Sequence, residues 1–167
     1  MNTAGPQRIL IACIGNIFLG DDGFGVEVAR RLNTRHYPEG IHVVDFGIRG
    51  MDLAYTMLEH YDILVLVDTV SRGGLPGTLY LLEINLAADN PEQTSQLMPD
   101  AHSMDPVKVF AFAKMLGAQP VRTLLVGCEP VSPEEERDCR EGLSEPVQAA
   151  IDEAIKMIDS LVTVPAG

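Results

Sequence analysis

The sequence predicts an α/β fold, a three-layer α/β/α sandwich around a mixed five-stranded sheet. Three observations predict it. Five short apolar runs alternate with helix-period stretches in the order β-α-β-α-β-β-α-β-α. The runs Ile9 to Ile14 and Asp62 to Val67 are apolar at almost every position, as strands buried on both faces are. The glycine-rich link Thr69 to Pro76 is shorter than the roughly dozen residues that a parallel crossover needs, so the strand after it should run antiparallel to its predecessor.

The elements follow in order. Arg8 to Ile14 is the first strand. The helix after Gly23 places Phe24, Val28 and Leu32 on one face and pairs Glu27 with Arg31 on the other. Ile41 to Phe46 is the second strand, less buried because His42 intrudes, and Gly47 to Gly50 is a loop. Met51 to His60 is a short helix with Ala54 and Leu58 inward. Asp62 to Val67 is the third and most hydrophobic strand, and it ends on Asp68. Gly77 to Ile84 is the fourth. Asn85 to Met104 has no periodicity and is long enough to be a working loop or lid.

Asp105 as N-cap and Pro106 at the first helical position then open a helix. Val109, Phe110, Ala113 and Leu116 face inward, and Gly117 stops it. Val121 to Cys128 is the fifth strand, and Glu129 to Gly142 is an acidic loop. Ser144 caps a last helix whose inward face is Val147, Ile151, Ile155 and Ile158. No repeat or second domain is evident, so residues 1–167 are expected to form one domain.

The net charge of −12 argues against nucleic acid or an anionic membrane surface as partner, because both select basic clusters. No apolar run approaches the ~20 residues of a membrane span, and the start lacks a signal-peptide pattern, so a cytoplasmic location is expected. Cys13, Cys128 and Cys139 are odd in number and unpaired in spacing, which fits reduced thiols.

The chemistry is concentrated after the first strand. In open α/β sheets, ligands bind beyond the carboxyl ends of the strands, where strand order reverses. Asp22 lies just past strand one and Asp68 ends strand three. If strand one has strand two on one side and strand three on the other, both acids flank that crevice. The long loop carrying His102 can fold over the same edge. Two carboxylates and one imidazole make a three-point site for a divalent cation such as Zn²⁺ or Ni²⁺. Without the cation, the neighbouring carboxylates would repel and one would take up a proton.

Blander alternatives stand beside this. Asp21 is expected to cap the following helix and meet its dipole. Asp68 could be a strand-end turn acid, His102 an ordinary loop histidine, and Glu129 a loop acid at the crevice margin. Cys13 and Cys128 fit inert packed thiols. The glycines Gly15, Gly20, Gly23 and Gly25 do not have dinucleotide spacing, and Asp21 and Asp22 would repel a pyrophosphate.

The stretch from Gly15-Asn16 through Asp21-Asp22-Gly23-Phe24-Gly25, with Asp68, His102 and Asp45-Phe46-Gly47…Gly50-Met51, resembles the hydrogenase maturation proteases. These endopeptidases trim the C-terminus of the [NiFe]-hydrogenase large subunit. Cys13 replaces the usual first glycine of that family's G-x-G-N start, and Phe46 replaces a frequent glycine. The resemblance implies a phosphorylase/hydrolase-like sandwich with strand order 2-1-3-5-4 and strand four antiparallel. It implies Asp22, Asp68 and His102 as metal ligands, with Asp22 and Asp68 catalytic. Gly15, Asn16, Gly47 and Gly50 would contact substrate. The cation would be nickel brought by the large-subunit precursor, or another divalent metal such as zinc. The protein would act as a monomer. A non-catalytic nickel-binding chaperone on the same scaffold is the alternative.

Overall fold

A computed structural model describes residues 5–84, 106–132 and 142–163. Its sheet has five strands in the order β2-β1-β3-β5-β4. These are β1 (Ile9–Ile14), β2 (Ile41–Gly47), β3 (Ile63–Thr69), β4 (Leu79–Ile84) and β5 (Arg122–Cys128). The β1–β2, β1–β3 and β3–β5 pairs are parallel, and β4 runs antiparallel to β5 at the edge. Strand order and the reversed fourth strand therefore match the expectation. The helices are α1 (Phe24–Leu32), α2 (Gly50–Thr56), α3 (Pro106–Met115) and α4 (Glu145–Thr163).

Alternation along the central strands divides the core in two. Ile9, Ile11, Cys13, Val65, Val67 and Val126 face one way, against α1 and α4. Leu10, Ala12, Ile14, Leu64, Leu66 and Leu125 face the other way, against α2 and α3. With helices on both faces, β1 and β3 have no solvated side, which is why their sequences are continuously apolar. The stripe Phe24, Val28 and Leu32 of α1 is fully buried, as is Val147, Ile151 and Ile158 of α4. Each such side chain contributes about 1.5–3 kcal/mol by leaving water.

Several local expectations are corrected. Leu116 is exposed rather than inward, because α3 ends at Met115. Gly117 adopts a left-handed φ of 102°, and the Ala118 N–H returns to the Ala113 carbonyl at 2.9 Å, a glycine-terminated C-cap. In α2 it is Leu53 and Ala54 that are buried, whereas Leu58 is only half-buried in a 3-10 turn (Met57–Glu59). Glu27 pairs with Arg30 at 2.5 Å, closer than with Arg31 at 3.6 Å, and Arg31 reaches across to Asp152 of α4 at 2.8 Å. Both cysteines in strands, Cys13 and Cys128, are buried and unbridged. Cys139, Asp105 and the expected working loop lie outside the described residues.

One close approach seats α1 on the sheet. A Cβ on Gly25 would stand 2.1 Å from the Ile14 carbonyl oxygen and 2.7 Å from that of Val67. The helix therefore begins directly against the carboxyl ends of β1 and β3. Gly25→Ala should destabilise the protein by about 3 kcal/mol, since the clash is with backbone that cannot rotate away. Urea unfolding of the variant measures this, and an unchanged midpoint would refute the contact.

Candidate active site

The loop between β1 and α1 is a tight, self-bonded turn. Gly15 lies under the Asp22 carbonyl, where a Cβ would come within 2.0 Å of that oxygen. The Asn16 N–H donates to the Asp22 carbonyl and to its side-chain Oδ2, both at 3.0 Å. The Asn16 Oδ1 accepts the Phe18 N–H at 2.9 Å, and the Asp22 N–H returns to the Leu19 carbonyl at 3.1 Å. The chain then makes a 3-10 turn (Gly20–Gly23) into α1. These bonds leave the Asp22 carboxylate fixed at the carboxyl end of β1.

Asp68 is the second acid of the crevice. It is the penultimate residue of β3 and is buried. Burial pushes its carboxyl well above the usual carboxylate range, the nearby Asp22 charge pushes it further, and its bond from the Thr69 N–H opposes both. Asp22 and Asp68 thus face one another electrostatically where strand order reverses. A divalent cation entering there would relieve the repulsion, so the donor chemistry of this pair fits a hard or borderline cation. His102 lies outside the described residues. Among the described residues no group of three or more His, Cys, Asp and Glu is placed to hold a metal.

A third carboxylate stands at the same rim. Asp45 lies beside Cys13, and its charge, with that of Asp68, adds to burial in raising the Cys13 thiol far beyond the range where it would ionise. Cys13 is thereby an inert packed thiol. Burial likewise pushes Cys128 up to about 12, helped by Asp21 and Glu129. The Asp45 Oδ1 accepts the Gly47 N–H at 2.9 Å, while Arg49 caps the turn by donating to the Asp45 and Phe46 carbonyls. Gly47 has a left-handed φ of 54° and accepts the Gly15 N–H at 3.0 Å. Gly15 and Asn16 lie on the loop after β1, Gly47 ends β2 and Gly50 opens α2, and the Gly15–Gly47 bond joins the two segments.

Two acids have a different task from the one expected. Asp21 makes no cap bond to α1. Instead it is buried and accepts three hydrogen bonds, from the Val131 N–H at 2.9 Å, the Ser144 N–H at 2.7 Å and the Ser144 hydroxyl at 2.9 Å. Ser144 stands just before α4, and its hydroxyl donates to Asp21. This clasp ties the 3-10 turn to the segment after β5 and to the start of α4. Glu129 is buried as well. Its two carboxylate oxygens accept the Arg72 N–H at 2.8 and 3.1 Å, and its backbone pairs with Gly77 and Thr78 at 2.8 Å. It braces the β3–β4 link. A cavity of about 150 Å³ lies at the opposite, amino-terminal end of the strands, lined by Leu10, Tyr61, Leu64 and Val121, and contains none of the candidate acids.

A family model described as hydrogenase maturation protease matches residues 26–161. The chain belongs to the hydrogenase maturation protease family. The matched span includes Asp68 and begins just after the Asp22 turn. Over 151 residues the chain is 34% identical to the hydrogenase expression/formation protein HoxM of Azotobacter vinelandii, covering 90% of this chain and 70% of that one. It is 29% identical over 154 residues to the hydrogenase 2 maturation protease of Escherichia coli, covering 91% and 88%. Its structure is similar to that of the hydrogenase-maturating endopeptidase HybD from E. coli, with a TM-score of 0.74 and 27% identity over 93% of this chain and 91% of that one. The hydrogenase 2 maturation peptidase structure from a Thaumarchaeota archaeon gives 0.66 and 28% over 94% and 99%. As a maturation protease the protein is a peptide-bond hydrolase, with its acids at the carboxyl end of the sheet.

Asp68 and Asp21 should respond to amidation with opposite signs. Asp68→Asn keeps the shape and removes a buried, repelled charge. A carboxyl raised on folding contributes stability that is present at low pH and lost as pH rises through its folded value. Asp68→Asn should therefore raise the thermal midpoint at pH 8, each kcal/mol adding about 2–4 °C, with the gain shrinking towards pH 4. Asp21→Asn should lower it, by about 2 kcal/mol, because one acceptor becomes a donor facing N–H and O–H groups. Calorimetry of both variants across that pH range checks the contrast.

Proposed function

We propose that this protein removes a short C-terminal peptide from the large-subunit precursor of a [NiFe]-hydrogenase, and that Asp22, Asp68 and His102 recognise nickel carried in by the precursor. Family membership supports the proteolytic part. The observation that carries the site is the buried Asp68 carboxyl, raised by burial and by the charge of Asp22 across the strand reversal. Such a pair is poorly stabilised alone and well stabilised by a cation between its members.

The two acids take distinct roles in this reading. Asp22, held by the Asn16 N–H, is an anchor whose direction is fixed before substrate arrives. Asp68, in any state in which it is not itself bound to the cation, would accept a proton from the attacking water and return it to the leaving amine. Nickel in the substrate would polarise the scissile carbonyl. The backbone at Gly15, Asn16, Gly47 and Gly50 would line the path of the peptide. Because nickel comes with the substrate, an unloaded precursor would leave the carboxylates repelling and the site incomplete.

Purified protein incubated with nickel-loaded and nickel-free precursor tests this, with mass spectrometry of the precursor C-terminus as the readout. Cleavage of the loaded form alone is the expected result. Loss of mass from both forms alike would remove nickel from the mechanism, and binding without cleavage would make the protein a chaperone. Asp68→Asn should slow cleavage by about 10²-fold or more. His102→Ala should abolish processing while leaving the circular-dichroism spectrum and unfolding midpoint close to wild type. A variant that unfolds instead would make His102 a structural residue.

A further inference from the structure

Large apolar side chains are concentrated around this crevice on the solvent side. Five of the ten exposed large hydrophobic residues among the described residues are Ile17, Phe18, Leu19, Ile48 and Met51. Ile17, Phe18 and Leu19 lie on the loop that follows β1, Ile48 on the loop that follows β2, and Met51 in the first turn of α2. Phe18 is the extreme case, with 86% of its surface exposed. Scattered exposed apolar residues are ordinary, but a contiguous group rimming a site marks a surface meant to be covered.

This rim is presented by a braced scaffold. The Phe18 N–H is held by the Asn16 side chain at 2.9 Å, and the Leu19 N–H by the Asn16 carbonyl at 3.1 Å. The Leu19 carbonyl accepts the Asp22 N–H at 3.1 Å, and the Gly15 N–H joins this loop to Gly47, next to Ile48, at 3.0 Å. The hydrogen bonds that fix Asp22 therefore also fix the side chains of the rim. Whatever sits on them is held at the entrance to the acids.

We propose that Ile17, Phe18, Leu19, Ile48 and Met51 form an apolar lip that docks a protein surface of the precursor beside its scissile segment, with Phe18 as the anchor. The proposal rests on the proteolytic reading above and extends it to how the substrate is gripped. Continuity with the crevice argues for the occupant, since Ile17, Phe18 and Leu19 belong to the hydrogen-bonded turn that holds Asp22, and the Gly15 N–H to Gly47 carbonyl bond joins that turn to the segment carrying Ile48 and Met51. Charge argues the same way. The lip is an apolar island on a chain of net charge −12, which suits a neutral or basic polypeptide and repels anionic lipid and nucleic acid. Exposed aromatic anchors at such centres carry a large share of binding energy, and pre-fixed loops lose little entropy on docking.

The test is the dissociation constant of full-length protein for purified, nickel-loaded precursor, measured by calorimetry alongside cleavage. Phe18→Ser should weaken binding tenfold or more, and Phe18→Ser with Met51→Ser further still, with unfolding midpoints unchanged because both side chains are in water. Met115→Ser is the control. Met115 is 82% exposed but follows the opposite end of the sheet, so its loss should change affinity less than twofold. Unchanged affinity in the double variant, or no binding by the wild-type protein, would overturn the lip. So would a wild-type dimer in light scattering that the double variant splits, or wild-type binding to neutral vesicles that the variant loses while precursor affinity is kept. Lip-dependent binding without any cleavage would overturn the proteolytic reading and leave the lip standing.

Discussion

The site depends on backbone meeting backbone at the carboxyl end of β1. Gly15 lies under the Asp22 carbonyl and Gly25 lies against the Ile14 and Val67 carbonyls, each with no space for a side-chain carbon. These contacts draw the loop down onto the strand ends and start α1 immediately beyond it. A looser loop would leave Asp22 in solvent and away from Asp68. The glycines in this stretch thus answer to closeness of packing, and the phosphate cradle that such loops often form is absent because two carboxylates occupy its place.

The acids at this end of the sheet divide by what surrounds them. Asp21 is buried and accepts two N–H and one O–H, Glu129 is buried and accepts the Arg72 N–H on both oxygens, and each ties distant segments of chain together. Buried carboxylates so satisfied stabilise the fold. Asp68 is also buried, but the groups around it include another carboxylate, and its charged form is disfavoured. Adjacent residues of one sequence motif, Asp21 and Asp22, accordingly serve two ends: one holds the turn to α4, and the other faces the crevice. Acid pairs held at such unfavourable closeness are the arrangement by which functional sites tune protonation, which is the basis of the proposed role for Asp22 and Asp68.

The same end of the sheet carries both acids and exposed apolar side chains. The acids sit at the base of the crevice and the large hydrophobic side chains at its edge. This separation suits a protease with a protein substrate. On the proposed docking, the apolar edge would hold the precursor and leave the acids at the base to act on one peptide bond. At the opposite end of the strands Arg8 stacks 4.7 Å over the Tyr61 ring and Tyr61 bonds His42 at 2.7 Å.

Much of the fold was legible in the sequence, for physical reasons. Strands buried on both faces must be continuously apolar, so β1 and β3 announced themselves, and a link too short for a crossover forced β4 to run backwards. Strand ends are where α/β sheets bind ligands, so Asp22 and Asp68 stood out as acids following such strands, and their electrostatic meeting required only that β1 and β3 be neighbours. What sequence could not supply was partnership at long range. Nothing local to Asp21 points to Ser144, and helix capping was the natural reading until the chain brought the two together. Glu129 needed Arg72 in the same way, and Asp45 needed the β1–β2 register to join the rim. Local pattern is set by what a residue needs, burial or solvent; the choice of partner is set by how the whole chain closes, and only the tertiary structure decides that.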